Sequence, residues 1–402
     1  MTDAIVWPPE WPRYLDDRLG APQPGEYRQT PDDFLVEEDL GFAPEGQGEH
    51  LWLWIAKRDA TTSRVASSLA HLCGVTRRDV GYAGMKDRVA VTRQWFSVHL
   101  PGKEAPADLE ARLAAEGYQV EARARHPRKL KRGVHRGNRF RLKVTGPVVQ
   151  DTQLAARFDA VIKDGVPNYF GPQRFGPEGR NLSRAVAVLA RGWRKRDDRD
   201  GMLLSAARSY LFNAQLAERL RRGEWRQVLS GDVMMLEGSR SLFEVGASEA
   251  LAATSADSAP AGSHAASADS GSGEGPSDDD LSLRLAQGDI HPTAVLWGRG
   301  GSRARADAGA WEKDVLGAAP ALCQGLEKAG VQASRRALRV MLGEASLVRE
   351  GEAVWLSFRL PAGAFATAVL RELMTHPSLQ FRTASEATAG GRNIADEQGD
   401  TP

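Results

Sequence analysis

The chain has 402 residues, 42% hydrophobic and 26% charged, with a formal net charge of +1, a composition that suits a globular protein with room for two domains. Its two cysteines, Cys73 and Cys323, are far apart and lack a C-x-x-C spacing, which argues against a disulfide framework or a cysteine-based zinc site and fits a reducing cytoplasm. No basic leader followed by an apolar run opens the sequence and no later window has the apolar length of a membrane span, so neither secretion nor membrane insertion is expected.

Residues 1–24 read as a Pro- and Trp-rich lead-in that packs on the body through Trp7 and Trp11. A turn signal at Pro31-Asp32 precedes Phe34 and Val36 alternating with Leu35 and Glu37, the pattern of a strand. On this local pattern alone Phe34 is a core residue and Arg28 a surface one. His50 to Lys57 suits a strand covered on both faces, with Trp52 and Trp54 in the core. Val65, Leu69 and Leu72 give Thr62 to Leu72 one apolar helical face, with Thr62 as N-cap and Gly74 as stop. His71 on that helix has no metal-ligand partner at useful spacing.

Val80 to Trp95 is two apolar segments pinched around a Gly-rich turn, with Asp87 between Lys86 and Arg88. Asp87 is expected at a strand edge, facing outward; a lone aspartate between cations is ordinarily a solvated turn residue. Residues 101–120 are polar, Ala-rich and expected to be helical. Ala122 to Lys143 then carries ten Lys and Arg and no acid, including Arg128, Lys129, Lys131, Arg132, Arg136 and Arg139. Such a run is an electrostatic footprint for a polyanion, and its length favours nucleic acid over a merely solvated face. Its end, Gly137 to Val144, reads as a strand with Phe140, Leu142 and Val144 on one face.

From residue 151 the character changes. Leu154 to Ile162 suits a helix ending at Gly165, and Leu182 to Leu189 another ending at Gly192. Between them Asn168-Tyr169-Phe170-Gly171-Pro172-Gln173-Arg174-Phe175-Gly176 is an aromatic, Gly-bounded loop that could fold tightly or present rings and donors to RNA. Ser209 to Leu216 lies on a periodic helix. Residues 247–280 hold seven acids, no Lys or Arg and almost no bulky apolar side chain, the signature of a disordered loop. Without them the balance is 53 basic to 45 acidic residues, or +8. His291-Pro292 reads as a structured turn, Arg335 to Leu342 as a short helix, Val354 to Leu360 as a strand, Pro361 to Leu373 as a helix opened by proline, and the end beyond Ser385 as a frayed tail.

Gly84-Met85-Lys86-Asp87-Arg88-Val89-Ala90-Val91-Thr92-Arg93-Gln94-Trp95 resembles the G-x-K-D-x-x-A-x-T-x-Q-W signature of the TruD family of tRNA pseudouridine synthases, in which the aspartate is catalytic. The stretch around Asp33-Phe34, the Gly137-Asn138-Arg139-Phe140 motif, the Asn168 to Gly176 loop, Gly288 to Gly298 and the stretch ending at Leu373 are similar to the same family. The resemblance implies that Phe34 and Asn138 support the active site, that Phe140 stacks on the uracil, and that a basic residue pairs with the catalytic aspartate. That residue, a lysine in the family, is Arg28 here, which keeps the charge but changes its shape.

The fold implied is α/β (α+β): a catalytic domain on a largely antiparallel sheet, built from residues 1–150 and 331–385, with a smaller α/β domain, 151–330, inserted, and 386–402 as tail. The implied substrate is the uridine at position 13 in the D arm of a tRNA, a glutamate tRNA first, bound in the cleft between domains. Isomerising uridine moves the base from N1 to C5, which needs no cofactor and no metal, and the chain carries no dinucleotide fingerprint, P-loop or His/Cys cluster. Asp87 would open the reaction by attack on base or sugar or by removing a sugar proton. The cations Lys86, Arg88, Arg128, Lys129, Lys131, Arg132, Arg136 and Arg139 would hold RNA phosphates. No obligate protein partner is implied and a monomer is the simplest state. The competing readings are a cofactor-dependent RNA methyltransferase, for which a donor-binding βα unit is missing, and a non-catalytic RNA-binding protein.

Overall fold

In a computed structural model, residues 5–198, 201–246 and 278–382 are described. The strands in chain order are β1 (Glu26–Tyr27), β2 (Phe34–Asp39), β3 (His50–Arg58), β4 (Val80–Tyr82), β5 (Val91–His99), β6 (Tyr118–His126), β7 (Gly137–Thr145), β8 (Val166–Pro167), β9 (Val233–Leu236), β10 (Leu242–Glu244), β11 (Ile290–Leu296), β12 (Ser334–Ala337), β13 (Arg339–Val340), β14 (Gly343–Glu350) and β15 (Ala353–Pro361). Nine of them form the main sheet, in the order β14-β15-β7-β2-β5-β3-β6, with β1 on β7 and β4 on β5. Its pairings are antiparallel except for β2 with β5. A second sheet runs β10-β9-β11-β12, and β13 with β8 makes a short third pairing.

One face of the main sheet is apolar. Phe34 and Val36 of β2, Phe140 and Leu142 of β7 and Leu356 and Phe358 of β15 alternate onto it, and the helices Leu154–Asp164 and Ala366–Leu373 cover it. Leu51, Leu53 and Ile55 of β3 and Phe96 and Val98 of β5 continue the face, packing on the helix Thr62–Leu72. The parallel register of Val36 opposite Thr92 keeps these two groups on one side. The segment Gly84–Ala90 lies where they meet.

Several local expectations are corrected. Thr61, not Thr62, caps its helix, its side chain accepting from the Arg64 N–H. The helix after residue 101 is confined to Leu109–Ala115 because β6 claims the chain from Tyr118. Arg335 to Leu342 is not a helix: edge pairing of β12 on β11 and of β13 on β8 overrides the helical propensity of its Arg and Leu residues. The second sheet therefore keeps the chain past residue 331. His291-Pro292 lies inside β11, buried, with His291 Nε2 2.6 Å from Glu237 Oε2. Pro361 ends β15, and the last helix starts at Ala366. Residues 278–280 of the acidic segment open the helix Asp278–Gln287; the rest of that segment and the frayed tail lie outside the described residues.

The lead-in packs as expected. Trp11 stacks on Tyr169 at 5.8 Å and meets Phe381 edge-on at 4.7 Å, while Trp7 contacts Phe175 and Phe381. Among the described residues no helix is long and apolar enough to cross a membrane.

Candidate active site

Asp87 sits on the loop between β4 and β5, and its side chain is exposed. The backbone beneath it is fastened on several sides. Lys57 Nζ donates to the Asp87 carbonyl at 3.1 Å and also to the Ala60 carbonyl. Thr62 Oγ1 accepts from the Lys86 N–H at 2.9 Å and donates to Gln94 Oε1 at 2.8 Å, while Gln94 Nε2 returns to the Gly84 carbonyl at 3.0 Å. Lys86 turns inward and donates to Glu38 Oε2 at 2.7 Å; both side chains are at most 4% exposed. Glu38 also accepts from the Trp95 N–H at 3.2 Å.

Gly84 packs closely against His135 and Lys86. A Cβ there would lie 3.1 Å from His135 Cε1 and 3.4 Å from Lys86 Nζ. His135 is kept down to about 4 by burial and then by Lys86, so it stands neutral at pH 7 and spares the turn another cation.

Around the Asp87 carboxylate lie charges and rings from three parts of the chain. Burial, assisted by Lys86 and opposed by Asp87 and Asp59, brings Lys57 down to about 8. Burial chiefly, with a contribution from Asp87, raises the Tyr27 phenol above its ordinary value against the pull of Ser378 and Arg28. Tyr27 Oη lies 2.8 Å from Ser378 Oγ. Arg28 holds a positive φ of 59°, a conformation uncommon outside glycine, and its guanidinium carbon lies 5.2 Å from the centre of the Phe34 ring. Arg28 and Asp87 thus both act on Tyr27.

Phe34 meets Phe140 edge-on at 6.2 Å, and Phe140 lies 5.6 Å from Phe358, all on the apolar face. Phe140 is 8% exposed. Asn138, two residues earlier on the same side of β7, stands opposite Glu38, and its buried Oδ1 has no hydrogen-bond partner among the described residues.

The basic residues divide. Lys86 is corrected from RNA contact to internal brace, because its ammonium is buried against Glu38. Arg139 points to the sheet face opposite Phe140, as the two-residue period requires, and pairs with Glu344 at 3.0 Å. The run without acids is also partly compensated in space, by Arg123 with Glu110, Arg125 with Glu104 and Lys143 with Asp33. Arg128 and Arg136 are exposed. Lys129, Lys131 and Arg132 join Arg77, Arg78 and Arg88 around an open cavity of about 1000 Å³ beside the Asp87 loop. In its wall, burial works against ionising the Tyr82 phenol, but Arg132 and Arg77 outweigh it and hold the phenol below its ordinary value; each guanidinium carbon is 5.3 Å from the ring centre.

Sequence reasoning missed Lys57, Glu38, Thr62, Tyr27 and Tyr82. Lys57 left a signal: it is in phase with Leu51, Leu53 and Ile55 on the covered face of β3, where a lysine needs a reason. The others become visible only once β2, β5 and the helix Thr62–Leu72 are assembled.

A mixed α/β frame thus carries an exposed carboxylate on a loop fastened by hydrogen bonds, beside a cavity lined by basic residues. The sequence profile of tRNA pseudouridine synthase D (TruD) matches residues 19–195 and 272–373. The chain is 52% identical over 380 residues to a tRNA pseudouridine synthase D of Chromohalobacter salexigens, covering 94% of this chain and all of that one. It is 43% identical over 353 residues to that of Methylococcus capsulatus, covering 87% and 91%. A crystal structure described as a candidate tRNA pseudouridine synthase D (TruD) from Methanosarcina mazei shares the fold, with a TM-score of 0.64, 20% identity and coverage of 94% and 98%. The chain belongs to the tRNA pseudouridine synthase D (TruD) family.

Proposed function

We propose that the protein isomerises uridine to pseudouridine at position 13 in the D arm of tRNA, with glutamate tRNA as first substrate, and that Asp87 starts the reaction. The observation that carries this reading is the contrast inside one loop: Lys86, Thr62, Lys57 and Gln94 fix its backbone, while the Asp87 side chain is exposed. A carboxylate held this way meets a substrate without further ordering of its backbone. Lys57, which donates to the Asp87 carbonyl at 3.1 Å, places a positive charge directly beside the loop.

The target base must leave its stack, at a cost of a few kcal/mol, and stacking on an aromatic ring offsets about 1 to 3 kcal/mol. Phe140, which packs on Phe34 and Phe358, would supply that ring, and the unpartnered Asn138 Oδ1 would accept from uracil N3–H, once the entering base displaces the packing that buries both. Arg88, Arg128, Lys129, Lys131, Arg132 and Arg136 hold the flanking phosphates, positioning the RNA without reading its sequence. The second sheet and its helices form an inserted unit whose junction with the main sheet is the RNA cleft. The enzyme works in the cytoplasm as a monomer without cofactor.

The test is to incubate the purified protein with unmodified glutamate tRNA, without cofactor or metal, and to map pseudouridine by chemical adduct and primer extension. A stop at position 13 with wild type and none with Asp87→Asn supports the reading. Tight tRNA binding without product from several tRNAs would leave an RNA-binding protein.

A further inference from the structure

Two arginines outside the Asp87 loop converge on one aromatic ring. The guanidinium carbons of Arg336 and Arg174 lie 4.2 and 5.3 Å from the centre of the same ring, Phe170. Asn213 fixes the Phe170 backbone by bonding both its N–H and its carbonyl, and the ring packs edge-on against Phe212 at 5.6 Å. Among the described residues neither arginine has a carboxylate within ion-pair distance, although both are half-buried. Burial lowers both, and Arg174 adds to the depression of Arg336, to about 9. Two like charges sharing a partly desolvated site without a counter-ion are costly unless an anion joins them.

The two are not equivalent. Arg336 is largely committed to the protein: it donates to the Asn168 carbonyl and side chain and, through NH1, to the Gly363 carbonyl at 3.1 Å. Arg174 donates a single hydrogen bond among the described residues, NH1 to Ser205 Oγ at 3.1 Å, out of five N–H groups. In the same loop, a Cβ at Gly171 would meet Gln173 Oε1 at 2.7 Å and Thr367 Oγ1 at 3.1 Å, and the buried Thr367 hydroxyl has no hydrogen-bond partner among the described residues.

The location ties the pair to the candidate active site. Gly363 follows β15, whose last residue, Pro361, stands opposite Gly137, and the Ala362 N–H donates to the Arg136 carbonyl at 3.0 Å. Gly137 is the neighbour of Asn138. The arginine pair therefore faces the strand end that carries Asn138, from the side of the second sheet.

We propose that Arg174 and Arg336 form a phosphodiester-binding subsite for the RNA strand on the far side of the cleft from the Lys129 to Arg132 loop. Arg174 supplies the planar fork and Arg336 the fixed second charge. The inference rests on the tRNA reading above and extends it to residues that the basic run does not contain.

The experiment measures the affinity of full-length protein for unmodified tRNA over a salt series, with wild type, Arg174→Met, Arg174→Gln and Arg174→Lys, alongside thermal melting. Loss of one phosphate contact should lower the slope of log affinity against log salt by about 0.7 to 0.9, so that affinity falls about threefold less between about 50 and 200 mM salt. The Met and Gln variants should show this with unchanged melting, a raised KM and little change in kcat, and the Lys variant should restore the slope but not the full affinity. Wild-type slope in Met and Gln, or lowered melting with wild-type slope, would overturn the subsite and make Arg174 a packing residue. Wild type without salt-dependent tRNA binding would overturn the tRNA reading itself.

Discussion

Removing one half of the Glu38–Lys86 pair should both destabilise the protein and unfasten the Asp87 loop. At 2.7 Å the two charges attract by about 6 kcal/mol at an effective dielectric near 20, and this attraction offsets the cost of burying both. Loss of either partner leaves the other buried alone, which costs about 3 to 5 kcal/mol. Burial already raises the Glu38 carboxyl above its ordinary range, with Lys86 and the Trp95 N–H opposing it. A raised carboxyl contributes stability that is full below its unfolded pKa and is lost as pH rises through the folded one. Lys86→Met raises the folded value further, so its stability loss should grow from about pH 5 to about pH 8, while the loss in Glu38→Gln should not. Urea unfolding of wild type, both single variants and the double variant at the two pH values measures this, with a coupling of about 1 to 3 kcal/mol expected. Single losses below about 1 kcal/mol at both pH values, with no coupling, would refute the reasoning.

Lys57 carries charge at pH 7 but loses it above about 8, so turnover should fall as pH rises through that value, and Lys57→Met should be slower and lack that limb of the pH–rate profile. Thr62→Val breaks the link between the Lys86 N–H and Gln94 inside the core; denaturant unfolding should show a loss of about 1 to 3 kcal/mol, with kcat reduced more than tRNA affinity. Gly81→Ala would drive a Cβ to 2.3 Å from the Leu130 carbonyl oxygen, so it should cost about 1 to 3 kcal/mol and, by moving the Lys129 to Arg132 loop, weaken tRNA binding in a titration.

Much of the frame was legible because period-two patterning survives in β2, β5, β7 and β15, and because β3 is an apolar run covered on both faces around Trp52. The Asp87 loop was legible through its glycines and its motif. What failed depended on partners distant in sequence. Lys86 looks like a surface cation until Glu38, 48 positions earlier, is folded against it. The basic run looks uncompensated until Glu104, Glu110 and Glu344 are brought alongside. Arg335 to Leu342 has helical propensity, yet backbone pairing with β11 and β8 decides its state. Arg174 stands four positions from Phe170 in one loop, but Arg336 reaches the same ring only through tertiary packing and leaves no trace in sequence spacing.

The central claim is that the Asp87 carboxylate performs the chemistry while the surrounding loop only holds it. Moving the base from N1 to C5 releases the C5 proton, so tritium release from C5-labelled tRNA, measured in a single turnover beside tRNA affinity, reads this directly. Asp87→Asn should bind tRNA about as tightly as wild type and release no tritium above background. Release at a rate comparable to wild type would contradict the account and leave Asp87 a solvated turn residue.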